Sequence, residues 1–364
     1  MSQQVKLSNK TVERANQPAA ATFLLREIAC TLEAKPFRPH PLFVGGHAQT
    51  LASYAWPRHF GMRALRHDEQ RLFEVEQGVK LLARCRWLEN RHEHPTLIAL
   101  HGLEGSSEAR YMLGTAAKAI QKDFNTVRLN IRNCGNTEHL TPTLYNSGMS
   151  NDLLAVVNEL IERDGLKNIF IVGFSMSGNL VLKLAGENGE RLVGKIKGVC
   201  AVSPSIDLAA CSAALERRDN RLYLTSFMRS LRRRMRQKQK LFPERYDTTD
   251  IHLVRTIRDF DNRYTSADAG YKDADDYYTR ASSLPLIERI RIPTLIIQAQ
   301  DDTFIPFHSF RDPSIAANPH VLLLAPEHGG HLGFLAAHTQ DEDRFWAENR
   351  AVEFCKLVNE QMAD

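Results

Sequence analysis

The chain divides by the spacing of its apolar residues. Short apolar runs alternate with stretches in which apolar residues return every three or four positions, the marks of buried strands and of one-sided helices. LFEVE and KLLARCRWL, on either side of Gln77-Gly78, read as a hairpin. TLIAL (96–100), TVRLNI (126–131), NIFIV (168–172), GVCAV (198–202), TLIIQA (294–299) and VLLL (321–324) read as further strands. Helical spacing is found at 109–121, at 147–163, from Leu180 to Leu184 and from Phe345 to Met362. In 147–163 the apolar positions Leu153, Leu154, Val157, Leu160 and Ile161 fall on one side. Strands that are apolar throughout, separated by helices, are what a mostly parallel sheet covered on both faces requires. The pattern predicts an α/β fold.

The alternation stops between residues 205 and 284. Here Leu224, Phe227, Met228, Leu231 and Met235 share one helical face, while Arg229, Arg232, Arg233, Arg234 and Arg236 fill the others. That is the pattern of an amphipathic basic helix. The stretch is expected to be a helical lid inserted above the sheet. Four parts follow: a tail and helix at 1–35, a first part of the core at 36–204, the lid at 205–284, and the rest of the core at 285–364. Within the first part, residues to Gln17 are polar and aperiodic, and 19–33 have helical spacing.

Composition narrows the class. The 364 residues are 43% hydrophobic and 25% charged, the mixture of a globular protein that buries a sizeable core. No apolar run reaches the roughly 20 residues of a membrane-spanning helix. The first apolar stretch, Ala19 to Leu25, is interrupted by Arg26 and Glu27 and is too short for a signal-peptide core. Six cysteines without a Cys-x-x-Cys pair fit a reducing compartment and argue against a zinc ribbon or disulfide scaffold. A cytoplasmic location is expected. Charge is less even than the net +4 suggests: Arg217 to Lys240 holds ten basic residues and one acid, a local +9. One basic segment in an otherwise net-acidic chain speaks against a nucleic-acid binder. On an amphipathic helix it is expected to approach an anionic membrane surface. The alternatives are a solvated face, or pairing with the acidic stretch from Asp259 to Asp276.

Candidate chemistry centres on Gly173-Phe174-Ser175-Met176-Ser177-Gly178, between a strand and a helix. A nucleophile on so sharp a turn needs small residues two before and two after it; Ser177 is small, and Gly178 follows. A serine nucleophile needs a histidine base, and the base needs an acid to hold its tautomer. Downstream lie Asp301-Asp302 and His328-Gly329-Gly330-His331, each after a strand. Asp302-Thr303-Phe304-Ile305-Pro306 has the acid in register with a following aliphatic-Pro pair, which favours Asp302 and leaves Asp301 as a strand-end carboxylate. His331 follows the two glycines, which favours it as the base over His328. The backbone N–H groups of Leu103, in His101-Gly102-Leu103-Glu104-Gly105, and of Met176 are the expected oxyanion donors. A metal site built from His320, His328, His331 and His338 is possible on spacing but lacks a His-Glu-x-x-His helix. No metal or organic cofactor is expected.

HGLEGSS, NIRNCG, GFSMSGN, AQDDTFIP and EHGGHLGF, with GGHAQT near the start, resemble the YheT-like branch of the α/β-hydrolases, a branch related to the eukaryotic ABHD lipases. The resemblance runs from about Phe37 to Phe354. It implies an α/β-hydrolase fold, a triad of Ser175, Asp302 and His331, and hydrolysis of carboxylic esters through an acyl-enzyme. Ser177, Asn133 and Ala299 stand where the family usually has glycine, and none of these changes removes a catalytic group. The expected substrates are short- to medium-chain or lipid-like esters. Thioesters and lysophospholipids are the alternatives within enzymes, and a non-catalytic scaffold that binds through the basic helix is the alternative outside them.

Overall fold

The computed structural model describes residues 24–58 and 68–362; the expectation for the tail to Gln17 lies outside them. Eight strands form one sheet in the order β1-β2-β4-β3-β5-β6-β7-β8. They are β1 Glu69–Glu76, β2 Val79–Arg86, β3 Thr96–Leu100, β4 Asn125–Leu129, β5 Ile169–Phe174, β6 Ile196–Val202, β7 Thr294–Ile297 and β8 Val321–Leu324. The hairpin β1–β2 turns at Gly78, whose φ is 76°. It pairs antiparallel with the sheet through β2 and β4, and from β4 to β8 all strands run parallel.

Strand alternation sends neighbouring side chains to opposite faces. Ile98, Leu100, Ile169 and Ile171 join one apolar cluster, while Leu97, Ala99, Phe170 and Val172 join another. The first is closed by α3 (Ser150–Glu162) and α4 (Met176–Asn188), through residues such as Leu153, Leu160, Val181 and Leu184. The second is closed by α2 (Arg110–Ile120) and α8 (Trp346–Gln361), and by Leu25, Ile28 and Leu32 of the helical residues 24–33. Because both faces are covered, β3 and β5 are buried at every position. That explains why these strands show apolar runs and not a polar-apolar alternation. Helix α1 (Gly46–Ala55) precedes the sheet and carries the HAQT of the GGHAQT stretch.

Between β6 and β7 lie α5 (Leu208–Leu215), α6 (Arg221–Leu241) and α7 (Ala274–Ala281), with a further helical stretch from Ile257 to Ala269 between α6 and α7. This segment builds a small core of its own from Met228, Leu231, Met235, Tyr246, Val254 and Phe260. The apolar stripe of α6 is thus covered by the protein itself and is not free to enter a bilayer. The arginines also divide in a way the helical pattern did not anticipate. Arg229, Arg233 and Arg236 are exposed. Arg234 turns inward to Glu104 and Glu138, and Arg232 donates to the Val254 carbonyl at 2.6 Å. Lys238 is wholly buried, donating to the carbonyls of Glu138 and Thr141. These inward cations meet partners outside the acidic stretch from Asp259 to Asp276.

Met235 has no exposed surface. Met235→Ala is therefore expected to lower unfolding free energy in denaturant titrations by about 2–5 kcal/mol. Arg236→Ala, one position along, is expected to stay within about 0.5 kcal/mol of the parent. Equal losses for the two would show that the stripe is not part of the core.

Candidate active site

Ser175 stands between the end of β5 and the first residue of α4, with φ 54° and ψ −117°. A non-glycine residue avoids this region unless its surroundings impose it. They do so here by close approach. A Cβ on Gly173 would lie 2.3 Å from the Ser177 carbonyl oxygen, and one on Gly178 would lie 2.9 Å from Cβ of Pro204. Ser177, at a position where glycine is usual, has room for its side chain, and its hydroxyl donates to the His101 carbonyl. The steric demand falls on the next residue, Gly178.

Asp302 follows β7 and His331 follows β8, so both loops leave the carboxyl end of the parallel strands, as Ser175 does after β5. His331 Nε2 lies 3.0 Å from Ser175 Oγ, and His331 Nδ1 lies 2.9 Å from Asp302 Oδ2. With a carboxylate accepting at Nδ1, the ring proton sits there and Nε2 accepts from the serine hydroxyl. The other oxygen of Asp302 accepts from the N–H groups of Phe304 and Ile305, at 2.8 and 3.0 Å. Phe304 packs on the imidazole, with ring centroids 4.6 Å apart.

Asp301 is more than a solvated carboxylate. It accepts from the Gly330 N–H at 2.8 Å and faces His328 at 3.2 Å. It thereby ties down the loop that carries His331. From α1, Thr50 Oγ1 accepts from the His331 N–H at 2.9 Å. Gly46 and Gly330 approach so closely that a Cβ on Gly330 would lie 2.3 Å from the Gly46 carbonyl oxygen. The GGHAQT stretch therefore braces the histidine loop. Spacing along the chain carries no signal for this, because the partners are separated by 281 residues.

After β3 the chain turns at Gly102-Leu103-Glu104-Gly105. Gly102 lets the turn pack closely on the serine, since a Cβ there would lie only 3.0 Å from Ser175 Cβ. Among the described residues the Leu103 N–H has no acceptor, and Met176 opens α4, where N–H groups lack intrahelical acceptors. A cavity of about 910 Å³, part of it open to solvent, adjoins Ser175, His331, Leu103 and Met176. Leu208, Leu215, Phe227, Leu231, Ile257 and Phe260 give it apolar walls. Among its polar lining residues is Asp261, which accepts from the Tyr278 hydroxyl at 2.8 Å and whose pKa burial pushes up to about 6. The four histidines of the metal reading are not gathered. Among the described residues no group of three or more His, Cys, Asp or Glu side chains is arranged to hold a metal ion.

A family model described as the alpha/beta hydrolase fold matches residues 95–337. The YheT protein of Escherichia coli is 32% identical over 272 residues, covering 72% of this chain and 78% of that one. The chain belongs to the α/β-hydrolases, in their YheT- and ABHD-like branch. A monoacylglycerol lipase of Saccharomyces cerevisiae is 32% identical over 74% of this chain, and phospholipase ABHD3 of Mus musculus is 31% identical over 68%. The chain spans only 60% and 62% of the length of those two relatives. Among solved structures, an esterase of Pyrococcus furiosus matches with a TM-score of 0.53 at 20% identity, over 82% of this chain and 97% of that one. At that identity the likeness is one of fold. Among the described residues of this α/β-hydrolase, no helix is long and apolar enough to cross a membrane.

His101, at the start of the turn below Ser175, is a further buried group that the sequence pattern left without a role. Its Nε2 accepts from the Ile131 N–H at 3.3 Å, so the proton is on Nδ1, which donates to the Gly102 carbonyl at 2.8 Å. Burial lowers its pKa from 6.5 to about 4, so the folded chain holds it neutral. Between pH 6.5 and 4 the unfolded chain takes up a proton here that the folded chain refuses. Stability therefore falls as pH falls through this window, by on the order of 3 kcal/mol in all. The gap in unfolding free energy between the parent and His101→Gln is expected to shrink from pH 7 to pH 4. A gap that stays constant would mean that the folded ring is protonated.

Proposed function

We propose that this chain is a serine hydrolase of carboxylic esters, with lipid-like acyl esters as its substrate class. The hydrogen-bonded series Asp302–His331–Ser175, with the serine on a strained turn facing an apolar cavity, is the observation that carries this reading. His331 Nε2 takes the Ser175 hydroxyl proton as Oγ attacks the ester carbonyl carbon. Asp302 holds the Nδ1 tautomer and stabilises the imidazolium. The charge that develops on the carbonyl oxygen is met by the N–H groups of Leu103 and Met176. His331 then protonates the leaving alkoxide and the alcohol departs. Water, deprotonated by the same nitrogen, attacks the acyl-enzyme and releases the acid. The residues from 205 to 284 act as a lid, and their apolar side chains receive the acyl chain. The names of the yeast and mouse relatives, a monoacylglycerol lipase and a phospholipase, support a lipid-like substrate.

Labelling by a fluorophosphonate probe, abolished in Ser175→Ala, tests the nucleophile. Ser175→Ala, His331→Ala and Asp302→Ala are each expected to lower kcat by roughly three orders of magnitude or more, non-additively and with unchanged circular dichroism. Asp301→Ala is expected to cost about tenfold, through its hold on the histidine loop. Near-normal turnover in Asp302→Ala beside a crippled Asp301→Ala would reverse the assignment of the acid. Comparing matched esters, thioesters and lysophospholipids separates the ester reading from its relatives.

A peripheral contact with anionic membrane through Arg217–Lys240 rests on the exposed cations alone, because the apolar stripe of α6 is buried. Exposed charges are screened beyond roughly 10 Å at 0.1 M salt. Co-sedimentation with phosphatidylserine vesicles is therefore expected to fall steeply with salt. Changing Arg229, Arg233 and Arg236 to Glu should weaken it while a small soluble ester is turned over at the parent rate. Equal sedimentation with neutral and anionic vesicles at low salt would end this proposal.

A further inference from the structure

Glu104 sits beside Leu103 at the tip of the turn after β3, with φ 56°, a backbone conformation that non-glycine residues rarely adopt. The base of that turn is fixed at its backbone: Gly105 N–H donates to the Gly102 carbonyl at 3.0 Å, and Gly102 N–H donates to the hydroxyl of Tyr111 on α2 at 3.0 Å. The tip is held differently. The Glu104 carboxylate is 5% exposed and takes hydrogen bonds from outside the turn. Arg234 donates from Nε at 2.7 Å and from Nη2 at 3.2 Å, the Ser230 hydroxyl donates from one turn earlier on α6, and the Tyr145 hydroxyl donates at 2.6 Å. The third nitrogen of Arg234 reaches Glu138 at 3.2 Å. Burial alone would raise the Glu104 pKa. The Arg234 charge and these hydrogen bonds outweigh it, so the carboxyl is held below its ordinary range.

We propose that Glu104 and Arg234 are positioning residues for ester hydrolysis: their ion pair seats α6 on the turn and holds the Leu103 N–H where the oxyanion forms. The inference rests on the acyl-transfer reading above. Its physical ground is the contrast between strength and direction. A buried ion pair is weak evidence for stability, because desolvation offsets much of the attraction. A planar guanidinium with two nitrogens on one carboxylate nevertheless fixes orientation tightly. Leu103, Tyr145 and Arg234 line the cavity that holds Ser175, so the Arg234 side of the pair borders the site it would order. Losing an oxyanion donor outright typically costs 10²–10³ in kcat, and a displaced donor costs less. The proposed lid would then align the Leu103 donor only while α6 is seated, with Met176 held separately at the start of α4.

The test compares the parent chain with Glu104→Gln, Arg234→Lys and Tyr145→Phe, using a short-chain p-nitrophenyl ester and a trifluoromethyl ketone, whose adduct with serine carries an oxyanion. Glu104→Gln is expected to lower kcat by about 10- to 100-fold with KM changed less than threefold. Its trifluoromethyl ketone affinity should weaken by the same factor as kcat/KM. Arg234→Lys keeps the charge but not the two-pronged contact, and should give a smaller parallel loss. Tyr145→Phe removes one neutral donor, preserves folding if the charged variants do not, and should lose two- to fivefold in both measures. Folded variants that keep kcat and ketone affinity within twofold of the parent would overturn the proposal. So would losses in kcat without matching losses in ketone affinity. A parent chain that resists fluorophosphonate labelling, or whose labelling survives Ser175→Ala, would instead remove the acyl-transfer reading itself.

Discussion

The turn between β5 and α4 is the constraint on which the site depends. Ser175 occupies a left-handed backbone conformation that costs of order 1–3 kcal/mol. It is kept there by a strand buried on both faces on one side and a helix packed into the same core on the other. Three glycines let the backbone close around it: Gly102 against the serine itself, Gly173 against the Ser177 carbonyl, and Gly178 against Pro204. Relaxing any of these approaches would move Ser175 Oγ relative to His331. The covered sheet does more than stabilise the chain, since its rigidity keeps a strained residue aimed.

The loops around that turn are then braced by polar contacts between distant parts of the chain. Adjacent carboxylates show how burial and aim divide one residue type into two tasks. Asp302 points at the His331 ring and is otherwise satisfied by the backbone N–H groups of Phe304 and Ile305 and the Gln298 amide, whereas Asp301 points at the backbone of the loop on which that ring is carried. Thr50 of α1 reaches the same loop from the opposite end of the chain. A histidine whose ring and backbone are both held has little freedom to leave the serine, the geometry that the proposed general base would need.

The segment between β6 and β7 owes its form to a similar division. Its most conspicuous feature in the sequence is charge, yet its apolar stripe makes a second core and part of the cavity wall. Its cations separate into an outward set in water and an inward set on carboxylates and carbonyls. Buried cations survive because each inward side chain finds at least one acceptor; without one, burial would cost several kcal/mol.

The sequence by itself determined the sheet and the turn geometry that is local to the chain. Strands apolar at every position announce a sheet covered on both sides, and α3 was legible from Leu153, Val157 and Leu160 recurring on one face. The serine turn was legible because strand, glycine, serine and helix are contiguous, and because backbone sterics act over only a few residues. What acts across the fold left no local mark. Helical spacing gave the arginines of α6 to the polar faces, and only the packing of α6 on Glu104 and Glu138 decided that Arg234 faces inward. Chain position likewise could not show that Asp301 and Thr50 grip the His331 loop, nor that His101 is buried neutral between Ile131 and Gly102. Periodicity reports which side of an element is apolar. Which polar partner waits there is decided when elements far apart in sequence are brought within hydrogen-bonding distance.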